Sequence, residues 1–418
     1  MKSEDKKARV LLYIPGWGSG EGIDGISSYI MNIYRNINRN RVEFTIISFY
    51  SKKAFFESEL LALGGKIVKY PIDNIKGIRK KVVIGKSIIK ELNRNYYDSV
   101  YLQSSVPYDH LYMYFIKKYS NVPIRIIHSH NSSFDNQFGN SIRMILGYFS
   151  KLFESSSTNC LACSKKAAYW LFRKSTVEND EVELINNGID INKFKYDVEI
   201  RNIFREKLGI SDKVVIGNEL KMERKEELQR HISKKVVIGN VGRFTFQKNH
   251  KFLLEVFNEY LKINNEAILL LVGEGELEEE IRNKVKELNI DNKVIFYGIS
   301  NEVEKLMQAM DCFVMTSFYE GLPIVGVEAQ ASGLPLILSD EITNEIKIIS
   351  NVKFISLNDN ARIWACEIDK SIKLQRKDTS NELIEKGFDI ESIAKKLEGL
   401  FSHSMCHYPS LPTQFQKN

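Results

Sequence analysis

The chain is poor in cysteine and proline, and it contains no long apolar run. Five of its 418 residues are cysteine and eight are proline, which is too few for a disulfide framework. No stretch approaches the ~18–20 uninterrupted apolar residues of a membrane span. Residues 1–7 lead directly into a predicted strand instead of a signal-peptide core. We therefore expect a globular protein of the cytoplasm.

Two further absences concern ligands. The net charge is only +6, from 59 basic and 53 acidic residues. A nucleic-acid-binding protein needs a stronger basic stripe with interleaved aromatics, so we expect no nucleic acid partner, whereas contact with anionic lipid is permitted. Cys160 and Cys163 have the spacing of a metal pair, but no second Cys/His pair has zinc-ligand spacing. No Asp-x-Asp occurs either, and we predict no metal site.

The most informative segment is residues 317–335, in which Glu320 and Glu328 flank a predicted loop-to-helix junction. Pro323 suits the first helical position and Gly333 suits the residue after the last turn. The segment therefore predicts a helix of about ten residues. Its free N–H groups and positive end would face the preceding loop, which makes this loop a favourable seat for a phosphate.

A second segment, Val236–His250, begins with a β-branched run of the kind that forms buried parallel strands. Gly242, Arg243 and Lys248 follow it on a polar loop. In open α/β sheets, ligands bind just beyond the carboxyl ends of the strands. An arginine fork beside a lysine point charge suits a diphosphate.

Short apolar runs alternate with helix-like stretches along both halves of the chain. In the second half, each of three predicted helices, 250–264, 276–289 and 301–310, is followed by an apolar run. These runs are Ile268–Val272, Val294–Gly298 and Asp311–Ser317. In the first half a predicted helix at 27–37 follows the first of six runs, which are Arg9–Ile14, Phe44–Phe49, Lys66–Tyr70, Ser99–Leu102, Ile124–His128 and Cys160–Cys163. This alternation predicts doubly wound α/β domains.

Taken together, these motifs resemble the nucleotide-sugar half of glycosyltransferase family 4, whose members are retaining enzymes of the GT-B fold. The resemblance rests on Gly242-Arg243 with Lys248, Val272–Gly275, Glu320–Pro323 with Glu328, and Ser332–Pro335. Residues 185–190 are similar to the family's Asn-Gly-Ile-Asp segment before the interdomain crossing. The whole pattern looks most like bacterial transferases that build capsular polysaccharide or exopolysaccharide.

The GT-B resemblance implies two Rossmann-like domains, an interdomain cleft and a last helix that crosses back to the first domain. We predict these segments: an acceptor-side domain 1–192, a linker 193–235, a nucleotide-sugar domain 236–382, the returning helix 383–401 and a loose tail 402–418. The linker holds an oddity. Val214–Asn218 recurs unchanged as Val236–Asn240, with a charged helix candidate between the copies. Only the second copy continues into Gly242, so we assign the strand there.

The resemblance also implies roles for individual residues. Arg243 and Lys248 would stabilise the diphosphate leaving group, Glu328 would accept hydrogen bonds from the ribose, and the loop beginning at Glu320 would position the donor sugar. The remaining predicted donor contacts are Gly25, Gly242, Gly273, Gly321, Leu322 and Pro323. The family also carries a histidine that faces the donor sugar. His128 and His130 both fit, and the sequence does not decide between them, although His130 is nearer the strand end.

The implied reaction moves a sugar from a nucleoside-diphosphate sugar, with UDP-sugars the commoner donors, to a hydroxyl of a lipid-linked saccharide. Configuration would be retained without a metal or cofactor, and Glu320 would not be a covalent nucleophile. Two basic and apolar stretches, 78–90 and 141–153, predict reversible docking on the inner face of the membrane. The alternative is that both helices simply pack on the sheet of the first domain.

Three alternatives remain. A sugar-nucleotide epimerase or a phosphorylase uses the same two-domain frame. A non-catalytic binding module fits less well, because both glutamates and both cations are present. An NAD-dependent oxidoreductase is suggested by Gly20, Gly22 and Gly25, which match a dinucleotide fingerprint. That alternative needs an acidic residue at the end of the next strand, and Phe44–Phe49 ends without one.

Overall fold

A computed structural model describes residues 7–19, 25–131, 140–210 and 235–402, with the backbone alone at 140–144. Within these ranges the chain forms two α/β domains, each built on a parallel sheet. The fold predicted from the alternating runs is confirmed.

The first domain contains a seven-stranded sheet in the order β3-β2-β1-β4-β5-β6-β7, with parallel neighbours throughout. Its strands are β1 Ala8–Tyr13, β2 Val42–Ser48, β3 Lys66–Lys69, β4 Ser99–Ser104, β5 Ile124–Ser129, β6 Asn159–Ala162 and β7 Val182–Leu184. Its helices are α1 Gly25–Asn36, α2 Glu57–Ala62, α3 Gly77–Arg94, α4 His110–Tyr119, α5 Asn140–Ser150, α6 Lys165–Leu171 and α7 Lys174–Glu178.

Two short helices lead out of the first domain, α8 Ile191–Phe194 and α9 Val198–Lys207. The second domain contains a six-stranded parallel sheet in the order β10-β9-β8-β11-β12-β13. Its strands are β8 Val237–Val241, β9 Ile268–Val272, β10 Val294–Gly298, β11 Cys312–Met315, β12 Leu336–Ser339 and β13 Val352–Ile355. Its helices are α10 His250–Leu261, α11 Glu278–Glu287, α12 Val303–Ala309, α13 Ile324–Ala331, α14 Ala361–Ser371 and α15 Ser380–Glu385.

The strands form where apolar runs can be buried on both faces of a sheet. Every residue of β9 is buried, as expected of a parallel strand covered by helices on both sides. The sequence analysis missed β7, β12 and β13. Strand β7 has only three residues, and in β13 the exposed Lys353 interrupts the apolar run. Strand β12 has four residues, like β3 and β6, which were predicted, so its length does not explain the omission.

The last helix, α16, returns to the first domain as predicted, but it spans Ile390–Phe401 instead of 383–401, because the chain first forms the separate helix α15, Ser380–Glu385. The residues just before this helix are hydrogen-bonded to the segment that leaves the first domain, since Ile189 N–H donates to Phe388 O at 3.0 Å. The helix packs on α1, and the Phe401 ring lies 5.6 Å from Phe44 and 5.4 Å from Tyr101 between centroids. These buried aromatic contacts join the end of the chain to the core of the first domain.

Helix α9 joins the linker to the second domain through ion pairs. Arg201 Nη2 lies 2.6 Å from Asp311 Oδ1, and Arg205 Nη1 lies 3.2 Å from Asp311 Oδ2. The same carboxylate accepts a 2.8 Å hydrogen bond from Val237 N–H at the start of β8. The charged insertion predicted after this helix lies outside the described residues except for Lys235, and so do residues 403–418 of the predicted tail.

We predict that Asp311→Ala destabilises the protein by about 3–5 kcal/mol, because the change leaves two buried guanidinium groups without their common partner. Urea denaturation followed by circular dichroism measures the effect. Asp369→Ala, which breaks an exposed pair with Lys373, is the matched control. A loss below about 1 kcal/mol, the range of a surface ion pair, would contradict this account of the junction.

Candidate active site

A cleft of about 950 Å³ lies between the two domains, and residues of both domains line it. The structure brings together in this cleft all the predicted site residues but one: Gly25, His130, Gly242, Arg243, Lys248, Gly273, Glu320, Gly321, Leu322, Pro323 and Glu328. His128 is the exception. The grouping places the two sequence motifs of the second domain at one site, and it leaves their chemical roles as predictions.

Lys248 and Glu320 form an ion pair in the cleft. The lysine ends a short 3₁₀ turn, Phe246–Lys248, and its Nζ lies 2.6 Å from Glu320 Oε1. Gln247 Nε2 donates to the other carboxylate oxygen at 3.2 Å and to Tyr319 O at 2.8 Å. Because the Glu320 side chain is buried and held from two sides, it fixes the position of the Lys248 ammonium group.

Two glycines allow backbones to approach closely around the cleft. Gly273 has φ +136°, and a Cβ on it would lie 2.1 Å from Gly242 O, so only glycine fits there. A Cβ on Gly321 would lie 2.4 Å from His130 O, which belongs to the other domain. The second contact brings the Glu320–Leu322 loop directly against the end of β5.

Helix α13 is shorter than predicted and begins one residue later. It spans eight residues, and Pro323 is its N-cap, with φ −70° and ψ 115°, instead of its first helical residue. The carbonyl of Pro323 accepts the hydrogen bond of Gly326 N–H at 3.0 Å, which is the N-cap role. The end of the helix is as predicted, since Gly333 follows it with φ +67°. Ile324 and Val325, at the positive end, line the cleft.

Glu328 lies in α13, where the charges of Lys193 and Glu304 act on its carboxyl group. Burial raises the pKa of its carboxyl to about 7, while Lys193 lowers this pKa and Glu304 raises it further. Lys193 Nζ is 3.4 Å from Glu304 Oε2. The Glu328 carboxyl therefore changes protonation near neutral pH, and hydroxyl groups that donate to it would favour its ionised form.

The two histidines occupy different environments. His128 is fully buried in β5, where its Nδ1 lies 2.7 Å from Tyr101 Oη. His130 follows the strand and faces the cleft, with its Nε2 2.6 Å from Gln103 Oε1. The sequence could not separate them, because two residues that are two positions apart lie on the same face of a strand. Their environments differ in the structure because β5 ends at Ser129, between the two residues. Burial lowers the pKa of both, that of His130 to about 3, so both rings are neutral at physiological pH.

Several cleft residues were not predicted from the sequence. Asn187, in the segment before the crossing, donates from Nδ2 to Leu322 O at 2.8 Å and so joins the crossing to the donor-side loop. Lys193 and Glu304 belong to no motif that we identified. Arg35, Phe55, Phe56 and Glu59 line the first-domain wall, and they come from α1, α2 and the loop before α2, which have no distinctive pattern.

Cys160 and Cys163 lie at the end of a strand, as predicted. Cys160 lies on β6 and Cys163 directly follows it, both are unpaired, and burial raises the pKa of each thiol to about 12. In the described part of the chain, no group of three His, Cys, Asp or Glu side chains has the arrangement of a metal site. Gly20 and Gly22 of the dinucleotide fingerprint lie outside the described residues.

Two family models match most of the chain. Residues 23–193 match the family model Glycosyltransferase Family 4, and residues 206–390 match Glycosyl transferases group 1. EpsF of Bacillus subtilis, described as a glycosyltransferase, is 29% identical over 408 residues, which are 97% of this chain and 98% of EpsF. An Escherichia coli UDP-Gal:alpha-D-GlcNAc-diphosphoundecaprenol alpha-1,3-galactosyltransferase is 25% identical over 327 residues, covering 75% of this chain and 78% of that enzyme.

A solved structure shows the same fold. Anabaena HepE, in complex with UDP and glucose, superposes with a TM-score of 0.70 at 16% identity, over 93% of this chain and 98% of HepE. The two-domain arrangement is therefore that of the GT-B glycosyltransferases. Since the two family models match consecutive ranges that include both walls of the cleft, the chain belongs to the glycosyltransferases of family 4 and group 1.

Proposed function

We propose that this enzyme transfers a sugar from a UDP-sugar to a hydroxyl of a lipid-linked saccharide during bacterial exopolysaccharide or capsule synthesis, with retention of configuration. One observation carries the proposal: Arg243, Lys248, Glu328 and the positive end of α13 all line one interdomain cleft. The Escherichia coli relative is named for a UDP-sugar donor and a diphosphoundecaprenol acceptor, and HepE was solved with UDP, which supports these substrate classes.

In the proposed mechanism the nucleoside diphosphate is the leaving group. Arg243, Lys248 and the N–H groups at the start of α13 stabilise the negative charge that develops on it. Glu320 holds the Lys248 ammonium in place before the donor enters, so little reorganisation is needed during the reaction. Glu328 accepts hydrogen bonds from the ribose hydroxyls, and its pKa near 7 means that binding a ribose favours release of its proton.

We propose that the acceptor hydroxyl attacks the face of the donor sugar from which the diphosphate departs, which retains the configuration. An oxygen of the leaving diphosphate takes the proton of the acceptor hydroxyl. Glu320 is a poor covalent nucleophile because Lys248 and Gln247 both hold its carboxylate. Side-chain cations provide the positive charge in this mechanism. We therefore propose that no divalent metal is required, and activity should persist in EDTA.

The transferase proposal differs from its two alternatives in its products. We expect radiolabelled UDP-glucose or UDP-galactose, mixed with bacterial membranes that contain polyprenyl-linked saccharides, to label the lipid fraction and to release UDP only when membranes are present. An epimerase would change the sugar without releasing UDP, and a phosphorylase would require inorganic phosphate. Either result would reject the transferase.

In this assay we predict that Arg243→Ala and Lys248→Ala each lower kcat on the order of 10²–10³-fold, the scale for losing one charge-stabilising donor in a catalytic site. Lys251→Ala is the matched control, because Lys251 lies three residues beyond Lys248, is largely exposed and pairs with Glu280. Near wild-type turnover in Arg243→Ala would show that the diphosphate is bound elsewhere.

We also propose that the first domain docks on an anionic bilayer through α3 and α5. Ile78 and Val82 are exposed on α3, beside the exposed cations Arg79 and Lys86. On α5, Tyr148 is 76% exposed and Phe149 is 58% exposed. Such large apolar side chains on a surface favour insertion into the headgroup region, and each nearby cation adds about 1 kcal/mol on anionic lipid.

Helices α3 and α5 both contact the turn Pro107–Asp109. Helix α5 packs on this turn, and Lys81 Nζ of α3 lies 3.2 Å from the ring centroid of Tyr108 within it. Lys151, a cation of the predicted stretch 141–153, is not available to bind lipid, because its Nζ donates to Tyr169 O at 2.9 Å and to Phe172 O at 2.7 Å. The side chain of Arg143 lies outside the described residues. Among the described residues, no helix is long and apolar enough to span a bilayer.

We predict that the protein co-sediments with phosphatidylglycerol vesicles at low salt and is released as salt rises. The double variants Arg79→Glu/Lys86→Glu and Tyr148→Ser/Phe149→Ser should each reduce the bound fraction. Lys370→Glu/Lys373→Glu is the charge-matched control, since both lysines are exposed on the second domain, Lys370 in the last turn of α14 and Lys373 just after this helix. Binding that is equally weak for the unmodified protein on anionic and neutral vesicles would refute docking and leave the transferase proposal intact.

A further inference from the structure

We propose that Lys193 is a positioning residue of the donor site, whose ammonium group keeps the Glu328 carboxylate ionised so that it accepts hydrogen bonds from a ribose. The inference rests on the proposed function, because the contact between Glu328 and a ribose belongs to that proposal. It adds a residue of the segment that joins the domains, and a charge balance that sets how nucleotide binding depends on pH.

The Glu328 carboxyl group lines the cleft without a protein partner of its own. Within the described ranges, no hydrogen bond and no ion pair of 4.0 Å or less reaches this group. Carboxylates that are held away from bulk water inside proteins are normally paired or hydrogen-bonded. The oxygens of Glu328 therefore point to a ligand that supplies donors, as the hydroxyls of a ribose do.

Lys193 brings a cation to this part of the cleft. It lies in α8, which packs on both α12 and α13, the helices that carry Glu304 and Glu328. Lys193 Nζ lies 3.4 Å from Glu304 Oε2, and among the described residues no hydrogen bond accompanies this ion pair. The Lys193 side chain is 46% exposed, so its ammonium group keeps N–H donors available for a second carboxylate.

Lys193 acts on Glu328 through its charge. Burial raises the pKa of the Glu328 carboxyl to about 7, the Lys193 charge lowers this pKa, and the Glu304 charge raises it further. The two members of one ion pair therefore have opposite effects on Glu328. Without Lys193 the protonated carboxyl would predominate at neutral pH, and a protonated carboxyl has less acceptor capacity for a ribose.

The other charged groups near Glu328 already have partners. On α1, which packs on α13, Arg35 forms a bidentate pair with Glu59, with Nε 2.6 Å from Oε1 and Nη2 2.8 Å from Oε2. Asp190 is the N-cap of α8 and accepts from Lys193 N–H at 3.1 Å. Strand β12, which also packs on α13, contains no charged residue. Removal of the Lys193 charge should therefore change the ionisation of Glu328 directly.

Nucleotide affinity should follow the ionisation of Glu328, so two variants that remove the same ion pair should have opposite effects. Lys193→Met raises the pKa of Glu328, and Glu304→Gln lowers it. We expect UDP to bind Lys193→Met about tenfold more weakly at pH 6 and equally well at pH 9. Glu304→Gln should bind UDP more tightly at pH 6. A purely structural ion pair would be lost to the same extent in both variants, at every pH.

Calorimetry of UDP binding between about pH 6 and 9 measures these effects. Each protein is compared with the same protein carrying Glu328→Gln, because this ratio removes the titration of the UDP phosphate itself. Lys195→Met is the matched control, since Lys195 lies in the same segment, its Nζ is 2.7 Å from Asp378 Oδ2, and it does not line the cleft. The pH profile of this control should coincide with that of the unmodified protein.

Urea denaturation gives a second readout that needs no UDP. The pKa of Glu328 in the folded protein lies above its ordinary value, so the carboxyl stabilises the fold at low pH, and this contribution is lost as pH rises through the folded pKa. Measured relative to Glu328→Gln, the loss should end at higher pH in Lys193→Met and at lower pH in Glu304→Gln. Circular dichroism should show that each variant is folded.

The inference is rejected if Lys193→Met and Glu304→Gln move the pH midpoint in the same direction, or if neither readout moves in Lys193→Met. It is also rejected if Lys193→Met weakens UDP binding equally at every pH. Failure of the unmodified protein to bind UDP is a different result, which rejects the donor assignment, while the urea measurement still decides whether Lys193 controls the ionisation of Glu328.

Discussion

The site depends on one contact between the domains, the close approach of the Glu320–Leu322 loop to the end of β5. Gly321 is the residue that permits it, because a side chain there would overlap His130 O. Asn187 fixes the same loop from the crossing segment through its hydrogen bond to Leu322 O. With the loop held from two sides, Glu320 in turn holds Lys248, so the position of the Lys248 ammonium group follows from contacts within the protein.

Two further contacts join the domains. At the rim, the Glu345 carboxylate of the second domain accepts hydrogen bonds at 2.9 Å from the backbone N–H of Lys165, where α6 of the first domain begins. At the crossing, Ile189 bonds to the chain that leads into α16, and that helix ends in the core of the first domain. The two walls of the cleft differ in character, because Arg243 and Lys248 lie on the second-domain wall and the aromatic pair Phe55 and Phe56 lies on the first-domain wall.

Features of the fold and site that depend on one continuous segment could be predicted from the sequence, whereas contacts between distant segments could not. Long apolar runs such as Ile268–Val272 predicted their strands, and the segment around Glu320 and Glu328 predicted a loop followed by a short helix, because these patterns lie within one segment. The three-residue strand Val182–Leu184 lacked the length to be recognised. Contacts between distant segments, such as Arg35 with Glu59 or Gly321 with His130, depend on the folded sheet order, which single-sequence patterns do not encode.

The central claim is that this cleft binds a nucleoside diphosphate through Arg243, Lys248 and Glu328. Thermal unfolding with uridine, UMP, UDP, GDP and ADP tests it most directly, because a ligand at 100 times its Kd stabilises a protein by about 2.7 kcal/mol. The account predicts that UDP gives the largest shift, that the shift decreases from UDP to UMP to uridine as phosphates are lost, and that Glu328→Ala reduces the shift for all three. The absence of a shift with every nucleoside diphosphate, or equal shifts with UDP and uridine, would contradict the account.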